Sequence, residues 1–289
     1  MTASDRVVSL STVLFDGYPI ERAMDETARA GFAHVEPAYI RGYLEFDEDA
    51  FAPTASARLR SLMHSAGLAV RSVSAHMDLS LPEARQMLSR RIEFAADLGA
   101  NCLITNAGPA ASRSAIMATL EAAAPACEAT GVVIALENPG HGSGDLLGDG
   151  AAGAAFLAAE ALGHVRLNYD AGNVFTYSQE LLRPEDDIAA ALPFLACLHL
   201  KDVAIEEDGW RFTALGEGVV ATAAVLRRVP ASVPLTIELP LRLERPGRRD
   251  PKRRFQKMPI SHLLRAAQGS LDFVRNCTEG LPPGRTTAH

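Results

Sequence analysis

Four polar side chains stand at the ends of four consecutive apolar stretches in the second half of the chain. They are Glu137, Asp170, His199 and Glu238. Each stretch reads as a buried strand that ends at its polar residue or shortly after it. A buried carboxylate is costly unless it is paired or binds a metal. Three carboxylates and one imidazole brought together would repel one another without a cation. The pattern therefore indicates one divalent metal, with Mn²⁺, Mg²⁺ or Co²⁺ preferred by so many oxygens and Zn²⁺ also allowed.

The alternative is that each polar residue is an ordinary strand-end side chain, satisfied by a cap or an ion pair. Four such residues in succession at equivalent positions favour the metal site. Earlier strand ends carry further polar groups, namely Glu36, His76 and Asn106. We expect these three side chains to point toward the same site.

The elements that would position these residues alternate regularly between strands and helices. Glycines that end Ala-rich helices recur every 32 residues, at Gly67, Gly99, Gly131 and Gly163, and Gly31 precedes them by 36. A strand–helix unit of this length is the βα module, whose repetition predicts a parallel sheet.

Eight strands are predicted from this alternation. Their ranges are 7–14, 34–37, 68–76, 100–106, 132–137, 165–169, 195–200 and 235–238. Helices are predicted over 20–30, 46–66, 81–98, 112–130, 186–192, 221–229 and 260–275.

This count predicts an α/β fold, a (β/α)₈ TIM barrel, in which all strand carboxyl ends meet on one face. We expect residues 1–278 to form a single domain and residues 279–289 to be a disordered tail. A doubly wound open sheet is the competing fold. It would carry a glycine-rich phosphate turn after its first strand, which the stretch from Phe15 to Tyr18 is not.

The composition restricts the class of protein. With 289 residues, 48% hydrophobic residues and a net charge of −7, the chain can bury a large core and is a poor candidate for nucleic-acid binding. No apolar run reaches the ~20 residues of a membrane span, and no signal-peptide core follows Met1. The four cysteines lack CxxC spacing. We therefore expect a cytoplasmic protein with reduced thiols, and we expect a homo-oligomer.

Several segments together resemble the xylose isomerase-like TIM-barrel superfamily of sugar phosphate isomerases and epimerases. They are Ala135-Leu136-Glu137-Asn138, Asn168 to Asn173, Leu198 to Asp202, Leu215 to Gly218 and Thr236-Ile237-Glu238. The resemblance implies a divalent-metal site formed by Glu137, Asp170, His199 and Glu238. It also implies that Glu137 and Glu238 act as acid and base on a sugar-like substrate through a metal-stabilised enediolate.

Two positions keep a second reaction class open. Some epimerases of this superfamily have a histidine three residues after the strand-six aspartate, where this chain has Asn173. Dehydratases of inososes or dehydroshikimate resemble it in the stretch from His199 to Asp202, where Lys201 is either an acid or hydroxyl donor or an ion-pair partner of Asp202. A barrel that binds a sugar without catalysis is the rival outside enzymes.

Five residues are predicted to bind the substrate, because they lie at or next to strand ends. They are His76, Asn106, Asn173, Lys201 and Glu36. The segment 242–257 holds eight basic residues against two acidic ones. It is either a lid whose arginines hold an anionic group or a solvated loop that contacts another subunit.

Overall fold

Short parallel strands and helices alternate through residues 6–279, the part of the chain that the computed structural model describes. The strands of the main sheet are β1 Val8–Ser11, β2 His34–Glu36, β3 Ala38–Tyr39, β4 Ala69–Val70, β5 Ser72–Ala75, β6 Cys102–Thr105, β7 Val133–Glu137, β8 Val165–Asp170, β9 Leu195–Leu200 and β12 Leu235–Ile237.

The main sheet closes on itself. Strand β1 pairs in parallel with both β2 and β12, so the first and last strands of the sheet are neighbours. β2 continues into β3, and β4 into β5, so that ten short strands fill eight positions around the ring. The predicted TIM barrel is confirmed, and the strand carboxyl ends meet on one face as expected.

Nine α-helices lie within the described residues. They are α1 Ile20–Arg29, α2 Pro53–Ser65, α3 Ala84–Leu98, α4 Arg113–Thr130, α5 Gly150–Glu160, α6 Ala171–Tyr177, α7 Pro184–Ala191, α8 Thr222–Arg228 and α9 Ile260–Thr278. α2 is shorter than predicted, because residues 46–52 form a loop with one 3₁₀ turn at Glu48–Phe51.

The glycines at the helix ends behave mostly as predicted. Gly99 and Gly131 adopt left-handed backbone angles, with φ of 86° and 72°, directly after α3 and α4. Glycine tolerates this conformation because it has no Cβ. The prediction is wrong at Gly163, since the left-handed residue that ends α5 is Ala161, at φ 48°.

A second sheet lies on the carboxyl-end side of the barrel strands and was not predicted as a sheet. It is antiparallel and has four strands: β10 Asp202–Glu206, β11 Gly209–Thr213, β13 Leu243–Pro246 and β14 Lys252–Arg253. The predicted loop 242–257 therefore supplies two strands of this sheet. β10 and β11 form the hairpin that follows β9.

None of the described helices is both long and apolar enough to cross a membrane. Of the predicted tail 279–289, residues 280–289 lie outside the described part of the chain. The assignment of residues 1–278 to a single domain stays a prediction.

Candidate metal centre

The four predicted ligands come together at the carboxyl end of the barrel. Glu137 and Asp170 are the last residues of β7 and β8, His199 lies in β9, and Glu238 directly follows β12. Each offers one ligand atom, and these atoms lie within 4.8 Å of one another. All four residues are buried, with at most 1% of their surface exposed.

The donor atoms in this cluster fit a cation. Among the described residues, His199 Nδ1 is buried and forms no hydrogen bond, and the buried oxygens Asp170 Oδ2 and Glu238 Oε2 share one ammonium, that of Lys201. Nδ1 lies 3.2 Å from Glu137 Oε2 and 3.7 Å from Glu238 Oε2. Buried polar atoms without a hydrogen bond are uncommon and call for an explanation. A divalent cation bound by three carboxylates and one imidazole would satisfy them.

Glu137 is held rigidly by its neighbours. Its Oε2 accepts a hydrogen bond from Asn168 Nδ2 at 2.7 Å, and its Oε1 accepts one from Asn173 Nδ2 at 3.0 Å. His76 Nε2 lies 3.5 Å from Oε2. Burial alone would raise the pKa of Glu137, but His199 and His76 hold it well below its usual range. The carboxylate is therefore fixed and ionised.

Lys201 joins the cluster from the residue after β9. Its Nζ lies 2.8 Å from Asp170 Oδ2 and 2.5 Å from Glu238 Oε2, and it donates a hydrogen bond to Asn173 Oδ1 at 3.0 Å. Burial by itself would lower the pKa of Lys201, but Asp170 and Glu238 raise it well above its usual value. For Glu238 the signs are reversed. Burial alone would raise its pKa, but the positive charges of Lys201 and His199 lower it below its usual value. Lys201 is thus a buried ammonium.

The alternative ion pair between Lys201 and Asp202 is wrong. The Asp202 carboxylate accepts backbone hydrogen bonds from residues 203 and 220 at Oδ1 and from residues 216 and 218 at Oδ2. Asp202 thereby fixes the loop that follows β11, while Lys201 contacts Asp170 and Glu238 instead.

Glu36 does not take the place that the sequence predicted. Its side chain is fully buried, and it is not among the residues that line the cavity above the cluster. Its Oε1 lies 3.0 Å from His199 Nε2, while Ser72 and Thr236 donate hydrogen bonds to Oε2 at 2.5 and 2.9 Å. A carboxylate beside the second nitrogen of a metal-binding histidine fixes its ring and tautomer. We therefore revise its role from substrate contact to positioning of His199.

A cavity of ≈ 820 Å³ opens above the cluster. The other four predicted substrate-binding residues all line it: His76, Asn106, Asn173 and Lys201. Glu137 and Glu238 form part of its floor. The structure thus brings these predicted residues to one cavity, while their roles in binding stay predictions.

Sequence reasoning missed other residues that line this cavity. They are Tyr43, His141, Asp145, Arg41, Arg90 and Arg91. Tyr43 and His141 come from the loops after the second and fifth strand positions, where barrel enzymes place many of their functional groups. Burial raises the pKa of Tyr43 to about 12, so its hydroxyl stays protonated at neutral pH and can donate a hydrogen bond.

Five of the six arginines of segment 242–257 bond other groups within the protein. None of them lines the cavity. Arg242 and Arg253 bond Asp16, Arg248 bonds Glu180, Arg254 bonds Glu244, and Arg245 donates to the carbonyl of Gly140. The structure therefore shows no arginine of this segment in position to hold the substrate. The alternative, a contact with another subunit, stays a prediction.

Comparisons with solved structures show the same fold. A crystal structure of D-psicose 3-epimerase obtained in the presence of D-fructose has a TM-score of 0.69 and 15% identity, covering 95% of this chain and 100% of that chain. A xylose isomerase-like TIM barrel protein from Mycobacterium smegmatis in complex with magnesium has a TM-score of 0.71 and 15% identity, covering 96% and 99%. A probable 3-DHS dehydratase from Bacillus anthracis has a TM-score of 0.66 and 14% identity, covering 91% and 97%.

Sequence comparisons identify the family. A search of curated proteins found no match. The family model described as xylose isomerase-like TIM barrel matches residues 24–258, which is most of the chain. Fold, strand-end cluster and family model agree. The chain belongs to the xylose isomerase-like TIM-barrel family.

Proposed function

We propose that this protein is a divalent-metal-dependent isomerase or epimerase of a sugar or a related polyhydroxylated carbonyl compound. The observation that carries the proposal is the pair Glu137 and Glu238. These two glutamates stand on different strands, both lie beside His199, and both line the floor of one cavity. Two carboxylates that approach a substrate carbon from different sides can remove a proton and return one.

The surroundings of the two glutamates suggest different tasks. Glu137 is fixed by two amide hydrogen bonds and two histidines, so it can keep one orientation toward a substrate. Glu238 Oε2 lies 2.5 Å from the Lys201 ammonium, which keeps this carboxylate ionised and therefore able to accept a proton. Asn173 and His76 extend the polar wall and can orient substrate hydroxyls.

We propose that the metal is Mn²⁺, Mg²⁺ or Co²⁺, held by Glu137, Asp170, His199 and Glu238. Oxygen-rich ligation with a single imidazole suits these ions, and Zn²⁺ is a further candidate. When bound, the metal would polarise a substrate carbonyl and make the neighbouring proton more acidic.

A dehydratase or lyase is the second candidate. Lys201 favours it, because a buried ammonium in the cavity wall can donate a hydrogen bond to a departing hydroxyl group and stabilise the negative charge that develops on it. Asn173 also stands where some epimerases have a histidine, and an amide cannot transfer a proton near neutral pH.

Reaction in D₂O with a panel of ketoses and inososes separates these candidates. Deuterium at the α-carbon with no loss of water supports isomerisation or epimerisation, whereas loss of water supports the lyase. Glu137→Gln and Glu238→Gln should each lower turnover by about 10²–10⁴-fold. Glu128→Gln, at an exposed position of α4 away from the cavity, is the matched control. Unchanged turnover and metal content in both test variants would leave only the non-catalytic sugar-binding barrel.

We propose further that the protein works in the cytoplasm and binds a small molecule rather than a nucleic acid. Its four cysteines are free thiols, and this supports a reducing compartment. We also retain the homo-oligomer as a proposal, which light scattering of the purified protein would test.

A further inference from the structure

Lys201 is a buried cation in the middle of the proposed metal ligands. Only 2% of its surface is exposed. Its ammonium lies within 3.0 Å of three oxygens, which belong to Asp170, Glu238 and Asn173. Only three of the 28 lysine and arginine residues in the chain are lysines, and the other two lie in segment 242–257. A compact ammonium is therefore used in a chain that otherwise almost always uses guanidinium groups.

The backbone around Lys201 is shaped to hold its side chain. A Cβ at Gly172 would lie 2.8 Å from Lys201 Cβ and 2.9 Å from its Cγ, so only glycine leaves room for the lysine stem. The ring of Phe212 lies 5.9 Å from Nζ. This seat directs the ammonium toward the carboxylates.

The charges explain why a cation is needed there. Glu137, Asp170 and Glu238 are three buried carboxylates, and Lys201 balances one of their charges. A divalent ion would balance the charges of the other two. Without that ion, the ammonium of Lys201 is the charged group that contacts Asp170 and Glu238.

The contacts of Lys201 differ in kind. Its contact at 3.0 Å is a hydrogen bond to the amide oxygen of Asn173, whereas its two shorter contacts, at 2.8 and 2.5 Å, go to the carboxylate oxygens Asp170 Oδ2 and Glu238 Oε2. These two oxygens are also proposed metal ligands. A metal can therefore take them over while the ammonium keeps its hydrogen bond to Asn173 at the cavity wall.

We propose that Lys201 is an internal counter-ion that shares Asp170 and Glu238 with the divalent metal. It offsets one of the two carboxylate charges when no metal is bound, and it moves off these carboxylates toward Asn173 and the cavity when the metal binds. This inference rests on the metal site of the proposed function. It makes Lys201 a positioning residue that weakens metal binding and stabilises the metal-free protein.

Titration of Mn²⁺ into metal-free protein by calorimetry tests the energetic part. Lys201→Met should bind Mn²⁺ about ten-fold or more tightly than the wild type, the scale of effects from groups next to metal ligands. Its metal-free form should melt at a lower temperature. Lys252→Met, which removes an exposed lysine, is the matched control and should change neither value. Equal or weaker Mn²⁺ binding by Lys201→Met would overturn the proposal.

The wild-type protein offers a second measurement that needs no stable variant. When lysine is labelled with ¹³C at Cε alone, the NMR spectrum has one side-chain signal for each of the three lysines. Mn²⁺ should broaden the signal of Lys201 most. Saturating Mg²⁺ should then shift the Lys201 signal and leave those of Lys252 and Lys257 in place. If Mg²⁺ binds and the Lys201 signal does not move, the counter-ion role is wrong. If no divalent metal binds to the wild type, the proposed function itself fails.

Discussion

Replacement of Glu36 by glutamine separates two roles for this residue, and the structure favours one of them. Glu36 is fully buried below the cluster, 3.0 Å from His199 Nε2. Glutamine keeps the size of the side chain and can still accept the hydrogen bonds of Ser72 and Thr236. It removes the negative charge that faces the imidazole, and its amide N–H can favour the wrong tautomer of His199.

The expected cost lies in metal affinity. Loss of a carboxylate next to a metal-binding histidine typically weakens metal binding by about 10–100-fold, which corresponds to about 1.4–2.8 kcal/mol. Turnover of Glu36→Gln should therefore fall at limiting metal and recover largely at saturating metal, with the substrate KM unchanged there. Calorimetry with Mn²⁺ and kinetics at several metal concentrations measure both quantities. A higher KM at saturating metal, with unchanged metal affinity, would refute the positioning role and restore the predicted substrate contact.

Three further predictions concern the metal, the loop after β7 and the cavity wall. Adding Mn²⁺ at 100 times its Kd to chelated protein should stabilise it by about 2.7 kcal/mol and raise its melting temperature by about 5 °C; a scan that shows no shift would contradict the metal site. Arg245→Met should lower the melting temperature by several degrees, because it removes a buried hydrogen bond to the Gly140 carbonyl and a cation–π contact with Trp210, whereas Arg228→Met at an exposed ion pair with Asp186 should change it little. Tyr43→Phe should raise the substrate KM and leave Mn²⁺ affinity intact; an unchanged KM would exclude Tyr43 from substrate binding.

The barrel and its four strand-end residues could be predicted because both depend on local pattern. Apolar runs and helix-stop glycines recur at a nearly constant spacing, and parallel strands bring their carboxyl ends to one face. Glu137 and Asp170 end their strands in the sequence, so their meeting follows from the fold alone. The antiparallel sheet formed with β13 and β14 could not be predicted in this way. Its pairing joins segments that are about 35 residues apart and carry no regular alternation of apolar and polar residues.

The prediction that Glu36 contacts the substrate failed for a different reason, which is the depth of this residue in the barrel. Its strand ends with a carboxylate and a proline, as an active-site strand would. Strands in a closed barrel are tilted and staggered against one another, so residues at the ends of different strands lie at different depths. Glu36 lies below His199 and next to Thr236, while Glu137 and Glu238 reach the cavity. Stagger is a property of the whole ring, and no single strand encodes it.

The ion pair expected between Lys201 and Asp202 fails for a reason that the sequence does contain. Successive side chains of an extended segment point to opposite sides, and residues two apart share a side. His199 lies in the metal centre, so Lys201 is directed to the same centre and Asp202 away from it. The carboxylate of Asp202 therefore meets backbone N–H groups, and the ammonium of Lys201 meets three oxygens around the cluster. Alternation along β9 and the residues that follow it makes Lys201 part of the metal centre, so its charge must enter any account of how tightly this cluster holds a divalent ion.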